Sequence, residues 1–266
     1  MARIAGKGGN VFVASQLIED CESIWTTGGA GKTVSSDTSI YRVGSASAKV
    51  ATVGIGATSL LQYKDFDALN LSGYTHLMMW IRASINTDAG DLKILLDDTS
   101  ACVSALEQLA MPALTANTWK FVTVAFATPA NLSAVISIGL YQLVDLADAS
   151  FYVDDIRAAK EVAGMKSWTI DQKIETIDVT GFDSDGVKEF VAGTSEWSGA
   201  FEGFKDGVPL TIGTVVGLEL RESSTSTQQF RGAAIITGRS VKTDITGAVT
   251  YSYTFQGLHA LTIPTT

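Results

Sequence analysis

Apolar and polar positions alternate with period two along much of this chain. Val249, Tyr251, Tyr253 and Phe255 alternate with Thr250, Ser252, Thr254 and Gln256, which gives one apolar face and one polar face. Phe230, Gly232, Ala234 and Ile236 form a similar set, and Leu218 and Leu220 alternate with Glu219 and Arg221. These patterns predict half-buried β-strands, with Glu219 and Arg221 on the polar side. Residues 44–53, 74–84, 92–96, 119–127, 135–140 and 151–156 predict further short strands, divided by Asn, Asp, Gly and Ser. That texture points to a β-sandwich of jelly-roll type. One short helix is expected around residues 186–192, where Val187, Phe190 and Val191 fall at helical spacing behind an acidic start. Residues 103–109 suit a helix, or a strand and loop, equally well. The expected fold class is all-β with one short helix. The softest boundaries lie at residues 158–164 and 14–19.

Composition narrows the function classes. With 266 residues, 46% of them hydrophobic, the chain can bury one large all-β domain or two of ordinary size. The net charge is -9, and no basic run is present. A grip on nucleic acid through phosphates is therefore not expected, whereas an acidic wall that DNA slides past is compatible. Residues 16–158 hold 15 acidic and 8 basic residues, so this middle stretch is the acidic part of the chain. Two cysteines, Cys21 and Cys102, make neither a disulfide framework nor a metal cluster, and are expected as buried free thiols. The N-terminus, MARIAGKGG, lacks the apolar core of a secretory signal, and no window is long and apolar enough for a membrane helix. The expectation is a protein made in a cytoplasm.

Catalytic readings fail on inventory. His76 and His259 are the two histidines, and neither sits in a convincing Ser-His-Asp pattern. Asp97 with Asp98, and Asp154 with Asp155, are adjacent pairs, so in a strand they point to opposite faces, unlike a glycosidase pair. The run from Gly28 to Thr33 (GGAGKT) lacks the first glycine of a phosphate-binding loop, because Thr26 stands there. No enzyme is expected.

Residues 44–50 (GSASAKV), 69–74 (LNLSGY) with the Trp80-Ile81-Arg82 strand, 117–122 (NTWKFV) and 151–156 (FYVDDI) resemble, in order and spacing, a jelly roll of the carbohydrate-binding-module type. The resemblance covers about 140 residues. It implies that Trp80 and Trp119 belong to the core. It also implies a structural Ca²⁺ between the termini of the module, held by Glu19 and Asp154, although the usual Phe-Glu-x-Gly opening is replaced by residues 17–21 (LIEDC).

The remainder resembles tail tube proteins of tailed bacteriophages. The motifs are residues 5–13 (AGKGGNVFV), Ser167-Trp168, the turn from Thr180 to Phe182, residues 196–199 (EWSG), residues 201–204 (FEGF) with Asp206, and residues 251–257 (YSYTFQG). The expected architecture is a discontinuous tail tube β-sandwich or barrel domain, residues 1–15 and 160–266, with a jelly roll inserted at residues 16–159. Such an insertion is cheap at a surface loop.

The resemblance implies a structural virion protein that assembles in the host cytoplasm into the virion tail. Its subunits are expected to form hexameric rings that stack into a tube, with a tape measure and a tail terminator protein as partners. DNA would cross the lumen without specific binding, past neutral or acidic side chains such as Glu175, Asp178, Glu196 and Glu202. The jelly roll would decorate the outer wall, either adhering weakly to host surface glycans or bracing neighbouring subunits. The alternatives are a carbohydrate-binding adhesin, and a distal tail or baseplate ring protein of the same fold.

Overall fold

The structure is a computed structural model that describes residues 10–162, 164–180, 187–205, 209–222, 228–243, 247–258 and 260–264. It divides into two compact units. An inserted unit comprises Val13–Glu161, and a flanking unit comprises Met1–Phe12 with Val162–Thr266. The sequence-based break points, after residues 15 and 159, fall inside strands. Both units are built from β-strands, and the helical turns among the described residues are two 3₁₀ segments, Ser100–Cys102 and Pro129–Asn131.

The inserted unit holds β1 (Val11–Glu19, from Val13 onward), β2 (Thr26–Thr27), β3 (Lys32–Asp37), β4 (Ser47–Thr52), β5 (Ser59–Leu69), β6 (His76–Ala83), β7 (Leu92–Asp97), β8 (Glu107–Ala110), β9 (Lys120–Ala125), β10 (Val135–Gln142) and β11 (Ser150–Glu161). One sheet runs β1-β11-β4-β3, with β6 pairing both β11 and β9; the other runs β2-β5-β10-β7-β8. The apolar alternation turns the two inner faces toward each other. Phe151 lies opposite Val50 and Ala83 in the first sheet, and Ile138 opposite Leu96 in the second. All five are fully buried, and each large side chain among them contributes roughly 1.5–3 kcal/mol of burial. Trp80 is buried and meets Phe121 at 5.0 Å, whereas Trp119 is half-buried against Tyr152. Cys21 and Cys102 are buried free thiols, and burial pushes both well up from the ordinary thiol range.

The flanking unit holds β12 (Met165–Asp178), β13 (Phe190–Phe204), β14 (Val215–Arg221), β15 (Gln229–Thr243) and β16 (Val249–Gly257), in the antiparallel order β12-β13-β16-β15-β14. The sheet curls on itself. Trp168 of β12 donates its indole N–H to the Arg221 carbonyl of β14 at 3.2 Å and meets Phe230 of β15 at 5.9 Å, although three strands separate β12 from β14. The buried face carries Trp197, Phe201, Tyr253, Phe255, Ile236 and Leu218.

Two expectations are corrected. The helix at residues 186–192 is absent: Gly186 lies outside the described residues, 187–189 are irregular, and Phe190 opens β13. Asp178, Ile177 and Thr176 of β12 pair with Phe190, Val191 and Ala192, and these ladder bonds outweigh a helix too short to repay its nucleation. Glu219 is also not on a solvated face. It is fully buried, and its carboxylate accepts N–H groups from Arg221 and Arg231, so the polar side of β14 is covered as well.

Candidate functional site

Several exposed apolar side chains lie on the β12–β13 hairpin. β16 pairs with β13 from Ser198 to Phe204, while the β12–β13 ladder continues to Asp178 and Phe190. Residues 173–178 and 190–196 therefore form a two-stranded arm past the last pairing with β16, about 20 Å long at the usual rise per residue. Ile174, Ile177, Phe190 and Val191 on this arm are each 50–56% exposed, and Val187 near its tip is 67% exposed. An isolated two-stranded ribbon is at best marginal in water, and its open edge and bare side chains are a template for pairing with another chain. Sequence reasoning missed the arm because it took Val187, Phe190 and Val191 as a helix face. The signal available was the β-branched and aromatic content of that stretch.

Cross-strand register places the expected lumen residues. Glu196 lies opposite Lys173 and Glu202 opposite Ser167. With Glu175, two residues on from Lys173, they share the face opposite to the one on which Trp168 pairs with Phe201. Asp178 points to the other side, where it faces Phe190 and accepts the Thr180 N–H at 3.0 Å. Hydrogen bonds from Thr180 hold its carboxyl below the usual range. Glu175 accepts the Thr194 hydroxyl, and Glu202 meets the Lys166 ammonium at 3.4 Å. The motif residues Ala5 to Gly9, Phe182 and Asp206, and also His259, lie outside the described residues.

Glu19 and Asp154 make different hydrogen bonds, and the charge of each acts on the buried Cys21 thiol. The Cys21 N–H reaches Glu19 at 3.3 Å, and Glu19 lines a cleft of about 250 Å³ with Leu17, Asp20, Phe66, Asp67 and Leu69. Burial, then the charge of Asp20, push its carboxyl up. Asp154 is fully buried in β11 beside a bulge at Asp155, whose φ is 46°. Its Oδ2 accepts the backbone N–H groups of Arg42 at 2.6 Å and Val43 at 3.1 Å, and its Oδ1 has no hydrogen-bond partner. Burial pushes this carboxyl up to about 7 despite those donors. Glu22, a residue the sequence reading passed over, holds the same loop through the Ser45 N–H and hydroxyl, and its charge acts on Asp154. Among the described residues no three His, Cys, Asp or Glu side chains converge as metal ligands. Calcium takes about six to eight oxygens. At Asp154, one open carboxylate oxygen beside two N–H donors does not fit that demand.

No protein-family profile matches the sequence, and no curated protein does. Solved structures give partial likenesses. A chain from the tail of an empty gene transfer agent (GTA) particle with C6 symmetry is 21% identical over 40% of this chain and 87% of its own, with a TM-score of 0.32. The family 11 carbohydrate-binding module of a Clostridium thermocellum cellulosomal cellulase is 15% identical over 57% of this chain and 94% of its own, at 0.39. A tandem family 22 module from Paenibacillus barcinonensis is 12% identical over 97% and 93%, at 0.35.

Proposed function

We propose that this chain is a structural virion protein, a major tail tube subunit that self-assembles into stacked rings whose lumen conducts DNA. The observation that carries the reading is the β12–β13 arm, with its half-exposed Ile174, Ile177, Phe190 and Val191 and its open edge. A surface of this kind is costly on a solitary domain and is covered when a second copy seats on it. Rings of six, a tape measure and a terminator as partners, and assembly in the host cytoplasm follow from the tail tube resemblance. Glu175, Glu196 and Glu202, on the solvent side of the hairpin, suit a wall that gives phosphates no anchor. The all-β inserted unit is read as an outward decoration, bracing neighbours or touching host glycans.

Negative-stain electron microscopy of the purified protein, alone and as Phe190→Asp, tests this reading. Long hollow tubes are expected for the native chain, and rings or monomers for the variant, whose circular dichroism stays unchanged. Native protein that remains monomeric at high concentration would overturn the proposal.

A further inference from the structure

The outer face of the first sheet in the inserted unit gathers cations over aromatic rings. On β6, Leu77, Met79 and Ile81 enter the core, so Met78, Trp80 and Arg82 stand on the opposite face. On β11, Phe151 and Val153 enter the core, and Tyr152 and Asp154 stand outward. The register sets Lys49 of β4, Tyr152 and Arg82 in one row, and Asp154, Trp80 and Phe121 of β9 in the next. The Arg82 guanidinium lies 5.3 Å from the centre of the Tyr152 ring. The Arg42 guanidinium, from the loop between β3 and β4, lies 5.2 Å over Trp80. Trp80 and Arg82 are two residues apart on one strand face, roughly 7 Å, so both arginines belong to one patch.

Neither guanidinium makes an ion pair with a carboxylate among the described residues. Arg82 donates one N–H to the side-chain oxygen of Asn117 at 3.2 Å, and the Nε atoms of both arginines are buried without an acceptor. The carboxylates nearby are committed elsewhere. Asp37 holds Lys49 at 3.0 Å, and Asp154 accepts the backbone N–H groups of Arg42 and Val43. Burial, then the charge of Arg82, hold the Arg42 guanidinium below its ordinary range despite the charge of Asp154. Two half-buried like charges with open N–H groups are costly until an anion shares them.

We infer that Arg42 and Arg82 form an oxyanion site on the inserted unit, and that its ligand is an acidic saccharide, a sugar that bears a carboxylate. The choice of a saccharide rests on the reading of this unit as touching glycans. Guanidinium forks match a carboxylate with paired hydrogen bonds. Stacking on Trp80 and Tyr152 orders the forks before a ligand arrives. Trp119, half-buried and 6.2 Å from Tyr152, adds an indole on which the apolar face of a sugar ring can rest. Residues 16–158 hold 15 acidic and 8 basic residues, so the field of the unit repels anions at long range. Recognition therefore comes from short-range contacts at this patch, and a neutral sugar would leave both guanidiniums unpaired.

Calorimetric titration of the full chain tests the inference, with digalacturonate, cellobiose as its neutral counterpart, and inorganic phosphate as probes. Digalacturonate is expected to bind at one site per chain, phosphate to compete with it, and cellobiose to give no binding. Arg42→Gln and Arg82→Gln are each expected to weaken digalacturonate about tenfold or more, as loss of a charge-assisted pair would. Arg82→Lys keeps the charge without the fork and is expected to weaken it as well. Lys173→Gln removes the same charge from the flanking unit and is expected to change nothing. Unchanged thermal melting of each variant excludes misfolding as the cause. Digalacturonate binding that both glutamine variants leave intact, or binding of phosphate alone, overturns the inference. If cellobiose binds instead and the arginine variants leave it unaffected, the oxyanion site falls while the glycan reading stands. If neither saccharide binds, the glycan reading falls with it.

Discussion

The Arg221 guanidinium lies 4.2 Å over the ring of Phe12, which ties the start of the chain to β14. Behind it, Glu219 accepts N–H groups from both Arg221 and Arg231, and Arg231 also donates to Gln229. The two arginines keep about a fifth of their side-chain surface in water, whereas Glu219 keeps none. Removing the carboxylate would leave two cations side by side without their acceptor. Glu219→Ala is expected to destabilise the flanking unit by about 3–5 kcal/mol. Calorimetry would show one transition moving down and the inserted unit's transition unmoved. A loss below about 1 kcal/mol would mean that the network is exchangeable with water.

Trp197 packs its indole directly on backbone. A Cβ added at Gly257 would stand 2.0 Å from Trp197 Cε2, and one at Gly232 would stand 2.6 Å from Cζ2. The indole meets Phe255 at 5.8 Å and is itself buried, so it has little room to give. Gly257→Ala is therefore expected to cost about 3 kcal/mol or more through overpacking. Gly73→Ala, where a Cβ would meet nothing within 4 Å, serves as the neutral control. Urea denaturation of both variants checks the difference, and equal midpoints would contradict the packing.

The strands were legible from the sequence wherever one face was buried and the other wet. Tyr253 and Phe255 alternate cleanly with Thr254 and Gln256, and β16 follows them. Legibility failed where tertiary contacts overrode local pattern. Val187, Phe190 and Val191 have helical spacing, but the cross-strand partners that draw the last two into β13 lie elsewhere in the chain. Glu219 alternates like a surface residue, and its burial depends on Arg231 and on the Arg221–Phe12 contact, which no spacing rule reveals. Asp154 and Asp155 sit side by side in the sequence, and a bulge in β11 buries both.

Asp154 makes the stability of the inserted unit depend on pH. Its carboxyl rises from 3.8 to about 7, chiefly through burial, so the folded chain holds a proton that the unfolded chain releases earlier. The stabilisation from that proton is complete below about pH 4 and is lost as pH rises through 7. The shift corresponds to about 4 kcal/mol as an upper figure. Asp154→Asn retains an acceptor for the Arg42 and Val43 N–H groups and cannot ionise. The expected result is a stability profile that falls between pH 4 and 7 in the native chain and is flatter in the variant. Parallel profiles would show that Asp154 titrates alike in both states.

Calcium would reverse that slope. A bound divalent ion requires the ionised carboxylate, so its stabilisation would grow as pH rises, against the intrinsic trend. The geometry argues that no such reversal occurs. Asp154 Oδ2 is already committed to two N–H donors, and Glu19 faces a cleft beside Phe66 and Asp67. Melting of the inserted unit is expected to be unchanged by EDTA or by added calcium at any pH from 5 to 8. A saturable rise with calcium that disappears in Asp154→Asn would place an ion there.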